Sequence, residues 1–141
     1  MPSYLFYVED REALLVGDTR AVARRVVHRL QGAARVLFLF CDQIRPRHAI
    51  ARTLIDAGYH LEDGELTGML AGLVEDRLLV EDKERYLGLA VRAGRGYLPP
   101  IAVMTRVLTE ERRVGLAESS IGRSRLFASY SHAPLGDSHE D

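Results

Sequence analysis

One cysteine, one lysine, no tryptophan and no long apolar run mark this chain. The lone Cys41 excludes an intrachain disulfide and therefore a disulfide-stapled secreted scaffold. It also excludes a four-cysteine zinc site and a cysteine-ligated iron–sulfur cluster built from one chain. The longest apolar run, Val36 to Cys41, is far short of the roughly 20 residues that a membrane-spanning helix needs. Met1-Pro2-Ser3-Tyr4 has no basic stretch leading into an apolar one, so a cytoplasmic protein is expected. Basic charge rests almost wholly on arginine, with Lys83 the single exception. The formal net charge is −1, so no general positive excess points to nucleic acid.

What remains is a chain of 141 residues, 47% hydrophobic and 28% charged, enough for one domain and a tail. Tyr4-Leu5-Phe6-Tyr7-Val8 and Ala13-Leu14-Leu15-Val16 read as two strands of a hairpin around the polar Glu9–Glu12 turn. Gly17–Arg20 breaks it, and Arg24 to Leu30 reads as a third short strand. Gln31 to Gln43 is apolar on more than one face, as a central helix should be. Pro46 suits the first turn of a second helix that runs to Ala57 and stops at Gly58. Leu66, Met69, Leu70, Leu73 and Val74 give the cleanest helical spacing, in a third helix that starts near Glu62 or Asp63. Gly68 and Gly72 line one strip of it, where another backbone is expected to approach. Leu78-Leu79-Val80 and Arg85 to Val91 read as a second hairpin around Glu81–Glu84.

The predicted fold is therefore α+β: a winged-helix-like three-helix core with an N-terminal β-hairpin and a C-terminal wing hairpin. It occupies residues 1–91. Residues 92–117 form a linker with a helix over Ile101 to Arg113, and residues 118–141, rich in serine, form a mobile tail.

The chemistry these residues allow is narrow. Cys41, inside its apolar run, reads as a buried inert thiol. His60 with Glu62 and Asp63 reads as a solvated loop, and Asp137, His139, Glu140 and Asp141 sit in the tail, so neither set is a metal site. Gly94-Arg95-Gly96 lacks the longer pattern of a phosphate loop. No Ser–His–Asp set can be assigned, so no stand-alone enzyme, cofactor or metal is expected. DNA is the disfavoured partner. The helix that would enter the groove carries Glu62, Asp63, Glu65, Glu75 and Asp76 with no Lys or Arg, although Arg45, Arg47, His48 and Arg52 offer a basic face next to it. An extended peptide fits better, since a hairpin edge pairs with one through main-chain hydrogen bonds. Tyr4, Phe6 and Val8 share one hairpin face and Leu5 and Tyr7 the other. The face not packed on helices needs a cover, from a partner, the tail helix or a second copy in a homodimer.

Two runs carry a family resemblance. Leu30-x-x-x-Ala34-x-Val36-Leu37-x-Leu39-x-Cys41-Asp42-x-x-Arg45, then Ile50-Ala51-x-x-Leu54, resembles the helical core of the leader-peptide recognition domains of ribosomal peptide natural-product pathways, the pyrroloquinoline quinone peptide chaperone among them. Asp18-Thr19-Arg20, His28-Arg29-Leu30-x-Gly32, Cys41-Asp42, Leu73-Val74-Glu75-x-Arg77-Leu78 and Arg85-Tyr86-Leu87-Gly88-Leu89-Ala90-Val91 are similar to the C-terminal region of cobalamin-binding radical-SAM maturases. With one cysteine, the cluster, S-adenosylmethionine and cobalamin sites of those enzymes do not carry over. The resemblance implies a non-catalytic accessory module that binds a precursor leader peptide or a maturation enzyme. It would do so by strand addition and an apolar groove, with Leu5, Phe6, Tyr7, Leu66 and Leu70 as the peptide-contacting positions. Asp42 and Arg45 read as a side-chain pair that sets the angle into the second helix. A winged-helix transcription regulator is the alternative, and a dimerisation domain the third reading.

Overall fold

The computed structural model describes residues 3–9, 11–94 and 96–113. The expected serine-rich tail, residues 118–141, lies outside them. The fold is α+β, with four helices and two sheets among the described residues, in two compact units.

The first unit takes the chain up to Ala21, Arg25–Arg29 and the segment from Val91. Its sheet has the order β3-β2-β1-β7. β1 (Leu5–Glu9) and β2 (Leu14–Asp18) form the expected hairpin, with Tyr7 opposite Val16. β3 (Val27–Leu30) flanks β2, and β7 (Val91–Arg92) runs parallel to β1. α4 (Ile101–Arg113) turns Met104, Val107 and Leu108 into a core with Phe6, Val8, Val27 and Ala93. The tail helix is thus what covers the Phe6–Val8 face of the hairpin. Gly17 is required here: a Cβ on it would stand 2.4 Å from the Phe6 ring.

The second unit takes Val22–Arg24 and Leu30–Ala90. It contains α1 (Gly32–Phe40), α2 (Arg47–Asp56), α3 (Asp63–Glu75) and a sheet of order β4-β6-β5. These strands are β4 (Arg45–Pro46), β5 (Leu79–Asp82) and β6 (Arg85–Gly88). α1 ends at Phe40, three residues before the expected Gln43, because its last carbonyls are claimed from outside the helix. Arg45 Nε donates to the Phe40 carbonyl (2.7 Å) and the Gly88 N–H to that of Cys41 (2.7 Å). Pro46 precedes α2 instead of opening it. Arg45 faces Tyr86 and the Arg47 N–H donates to the Glu84 carbonyl (3.0 Å), which leaves Pro46 at the non-bonding position of the pairing, where its missing N–H costs nothing.

α2 and α3 end alike. The Gly58 N–H donates to Ile55 and that of Tyr59 to Leu54 (2.9 Å each); the Arg77 N–H donates to Val74 and that of Leu78 to Leu73 (2.9 Å each). Both are Schellman stops, which put one residue in the left-handed region. At the first it is Gly58 (φ 95), at the second Arg77 (φ 62). Glu62 and Glu65 close a capping box at the start of α3. Among the described residues the close approach expected along Gly68 and Gly72 is absent, for none of them lies within 4 Å of a Cβ built on either. That strip faces solvent.

Two expectations about organisation change. The strand expected over Arg85–Val91 is split: β6 stops at Gly88, and Val91–Arg92 joins the other sheet, where the Ala93 N–H donates to the Tyr7 carbonyl (2.7 Å). Residues 92–113 are for the same reason no linker. They supply a strand and a helix to the unit that holds the N-terminal hairpin, so residues 1–91 are not a self-contained unit.

Candidate functional site

The five positions expected to contact a peptide fall into two groups. Phe6, Leu66 and Leu70 are buried at 5% exposure or less, Phe6 in the core beneath α4. Their side chains serve the fold and are not offered to a ligand. Leu5 and Tyr7 lie on the opposite face of β1 and are half-buried. That face is also largely withdrawn from solvent, since Leu14, Val16 and Asp18, which pair with Glu9, Tyr7 and Leu5, are fully buried. A broad exposed aromatic face, the feature expected to need a partner, is therefore absent among the described residues.

The hairpin's own edges are also taken. β3 occupies the outer side of β2, and β7 the outer side of β1 opposite Phe6 and Tyr7. Strand addition has to use an outer strand. β7 is suited to it. Because the Ala93 N–H points at Tyr7, alternation along the strand turns the N–H and C=O of Arg92 away from β1. Val91 is about half exposed, and the Arg92 guanidinium reaches back to Glu9 (3.7 Å) at the sheet surface.

Two buried polar pairs brace this unit. Asp18 accepts from Arg20 Nε and Nη2 (2.8 Å each) and from the Arg20 backbone N–H (3.0 Å). Glu111, fully buried on α4, faces Arg29 with 3.9 Å between Oε2 and Nη1. Glu111 extends the apolar Met104, Val107, Leu108 stripe of α4 by a further turn, and a charge at such a position is the sequence signal for it.

In the second unit, Arg45 stacks on the Phe40 ring (4.1 Å to its centroid) and pairs with Asp42 (3.2 Å). The expected Asp42–Arg45 pair is thus formed, at the corner between α1 and α2. Cys41 is fully buried, and that burial pushes its thiol up to about 11. A thiol so placed is a poor nucleophile. α3 keeps its acidic character, and arginines from outside the helix answer part of it. Arg47 Nη2 donates to Asp63 Oδ1 and to Thr67 Oγ1 (2.9 Å each), and Arg24 pairs with Glu75 (3.1 Å). Burial, reinforced by Glu81, pushes the Tyr86 phenol up.

Among the described residues no group of three or more His, Cys, Asp or Glu side chains is placed to hold a metal ion. His60 is exposed beside Glu62 and Asp63 as a loop residue. The acidic and histidine positions of the tail, Asp137 to Asp141, and Arg95 of the glycine pair lie outside the described residues. No helix among the described residues is long and apolar enough to cross a membrane. Compared with protein-family models, curated proteins and solved structures, the chain matches none.

Proposed function

We propose that this chain is a non-catalytic binding module for an extended peptide, the leader of a ribosomally made precursor, or for the enzyme that matures that precursor in the cytoplasm. The residue resemblance supplies the pathway. The observation that carries the binding mode is the outer strand β7, whose Arg92 N–H and C=O point away from β1 beside an exposed Val91. An added strand gains main-chain hydrogen bonds there, and side chains that alternate across the sheet give selectivity. The peptide contacts are accordingly main-chain contacts at this edge, with Leu5 and Tyr7 the nearby half-buried side chains and Phe6 acting from below through the core. The acidic α3 favours this reading over duplex DNA, because its carboxylates would face phosphate.

The test is fluorescence anisotropy of a labelled precursor leader peptide titrated with the full chain, next to the Arg92→Pro variant. Proline removes the outward N–H and leaves the Ala93 bond to β1 in place. Loss of one such hydrogen bond, worth about 1 kcal/mol, weakens binding about fivefold. Saturable binding that this variant leaves unchanged would contradict the edge, and absence of any binding the function.

A further inference from the structure

We propose that β5, in the second unit, is a second docking edge, and that it takes an extended segment with alternating basic and apolar residues from another polypeptide. The β4-β6-β5 order gives β5 a strand neighbour on one side only. Its phase is fixed by the Leu89 N–H, which donates to the Leu78 carbonyl (3.1 Å). Bonded pairs recur every second residue, so Val80 and Asp82 bond to β6, through Leu87 and Arg85. The N–H and C=O groups of Leu79 and Glu81 therefore point away from β6; Leu79 is buried, so those of Glu81 are the ones open to an added strand.

The two faces of this edge differ in chemistry. On one, Val80 is 47% exposed and lies across from the half-buried Leu87, with Leu89 (41% exposed) two residues further on. On the other, the exposed Glu81 stands opposite Tyr86, and its Oε2 accepts from the Glu84 backbone N–H (3.2 Å) at the hairpin tip. Asp82 has Arg85 as a partner (3.2 Å), whereas among the described residues neither Glu81 nor Glu84 is in an ion pair. A strand added here meets Val80, Leu87 and Leu89 on one face and the Glu81 carboxylate on the other.

A second copy of this chain is the poorer occupant. Two-fold pairing through Val80 would bring Glu81 of both copies onto one face, and four residues fall well short of the roughly 1,000 Å² that a stable interface buries. The edge thus fits a brief contact with a partner of opposite charge. It belongs to a different sheet from the peptide edge at β7, and stands or falls separately from it.

The experiment measures the anisotropy of two fluorescein-labelled hexapeptides with the full chain, one of alternating lysine and valine, one of alternating glutamate and valine. The lysine peptide should bind about tenfold or more tightly than its acidic counterpart and weaken as salt is raised. Glu81→Pro removes an outward N–H and a charge, and Glu81→Lys reverses the charge with the backbone intact; each should cost about tenfold. Glu12→Lys, an exposed change in the other unit, should leave binding unaltered. Equal binding of the two peptides, native-like binding by both Glu81 variants, or a dimer in sedimentation that Glu81→Pro dissolves would each overturn the proposal.

Discussion

Arg20 grips the fully buried Asp18 with a two-pronged pair, Nε to one carboxylate oxygen and Nη2 to the other, both at 2.8 Å. The same carboxylate accepts the Arg20 backbone N–H. Asp18 is the last residue of β2, and its own N–H donates to the Val26 carbonyl (2.8 Å), so the pair fixes the turn between β2 and β3. Arg20→Leu leaves a buried carboxylate without its cation and should cost about 3 kcal/mol, read as a drop in the urea midpoint. Arg20→Lys cannot restore the two-pronged geometry and should recover only part. A midpoint unchanged in Arg20→Leu contradicts this.

Glu111 and Arg29 predict an asymmetry. Removing either partner alone, as in Glu111→Leu or Arg29→Met, breaks a buried ion pair and should destabilise by about 3 kcal/mol. Replacing both at once should be close to neutral or stabilising, since the pair is held at 3.9 Å and gains little to offset desolvation. Urea denaturation of the two single variants and the double variant measures it; a double variant as weak as the sum of the singles contradicts it.

Arg77 occupies at the end of α3 the left-handed position that Gly58 occupies at the end of α2. A side chain there costs about 1 kcal/mol that glycine avoids. Arg77→Gly should therefore raise the melting temperature by a few degrees, and Gly58→Ala should lower it. Calorimetry that finds Arg77→Gly less stable contradicts the strain.

Much of this was legible in the sequence, and the failures have physical causes. The three helices follow from apolar spacing and from stops such as Gly58, because local rules act within a few residues. The helix over Ile101–Arg113 was equally visible from its apolar face. Where it packs was not, since nothing local says that Val91–Arg92 would cross to lie beside β1 and bring α4 over Phe6. The same crossing closed the hairpin edge and moved the candidate binding edge to β7. Leu66 and Leu70 are peptide contacts only by the resemblance; the structure buries both, and their helical stripe alone does not tell a ligand face from a core face. The Gly68–Gly72 strip promised a close neighbour and has none, and no contact in the structure explains it.

Cys41 gives a prediction in alkali. Its ordinary value is 9.0 and the fold raises it to about 11, so the unfolded thiol ionises first. The stability it contributes is intact below pH 9.0 and is lost as pH rises to about 11. Burial pushes the Tyr86 and Tyr97 phenols in the same direction, so they add to the loss. At pH 8 the native thiol should resist a disulfide reagent that the unfolded chain consumes at once. Prompt labelling of the native protein contradicts the burial.

Calorimetric titration of the precursor leader peptide into the full chain, in buffer with a chelator and without any added cofactor, is the most direct measurement. Saturable one-to-one binding, weakened in Arg92→Pro, is the expected result. Heat of turnover with a changed peptide mass, or no heat at any peptide concentration, would show that this chain does not act by holding a peptide at its sheet edge.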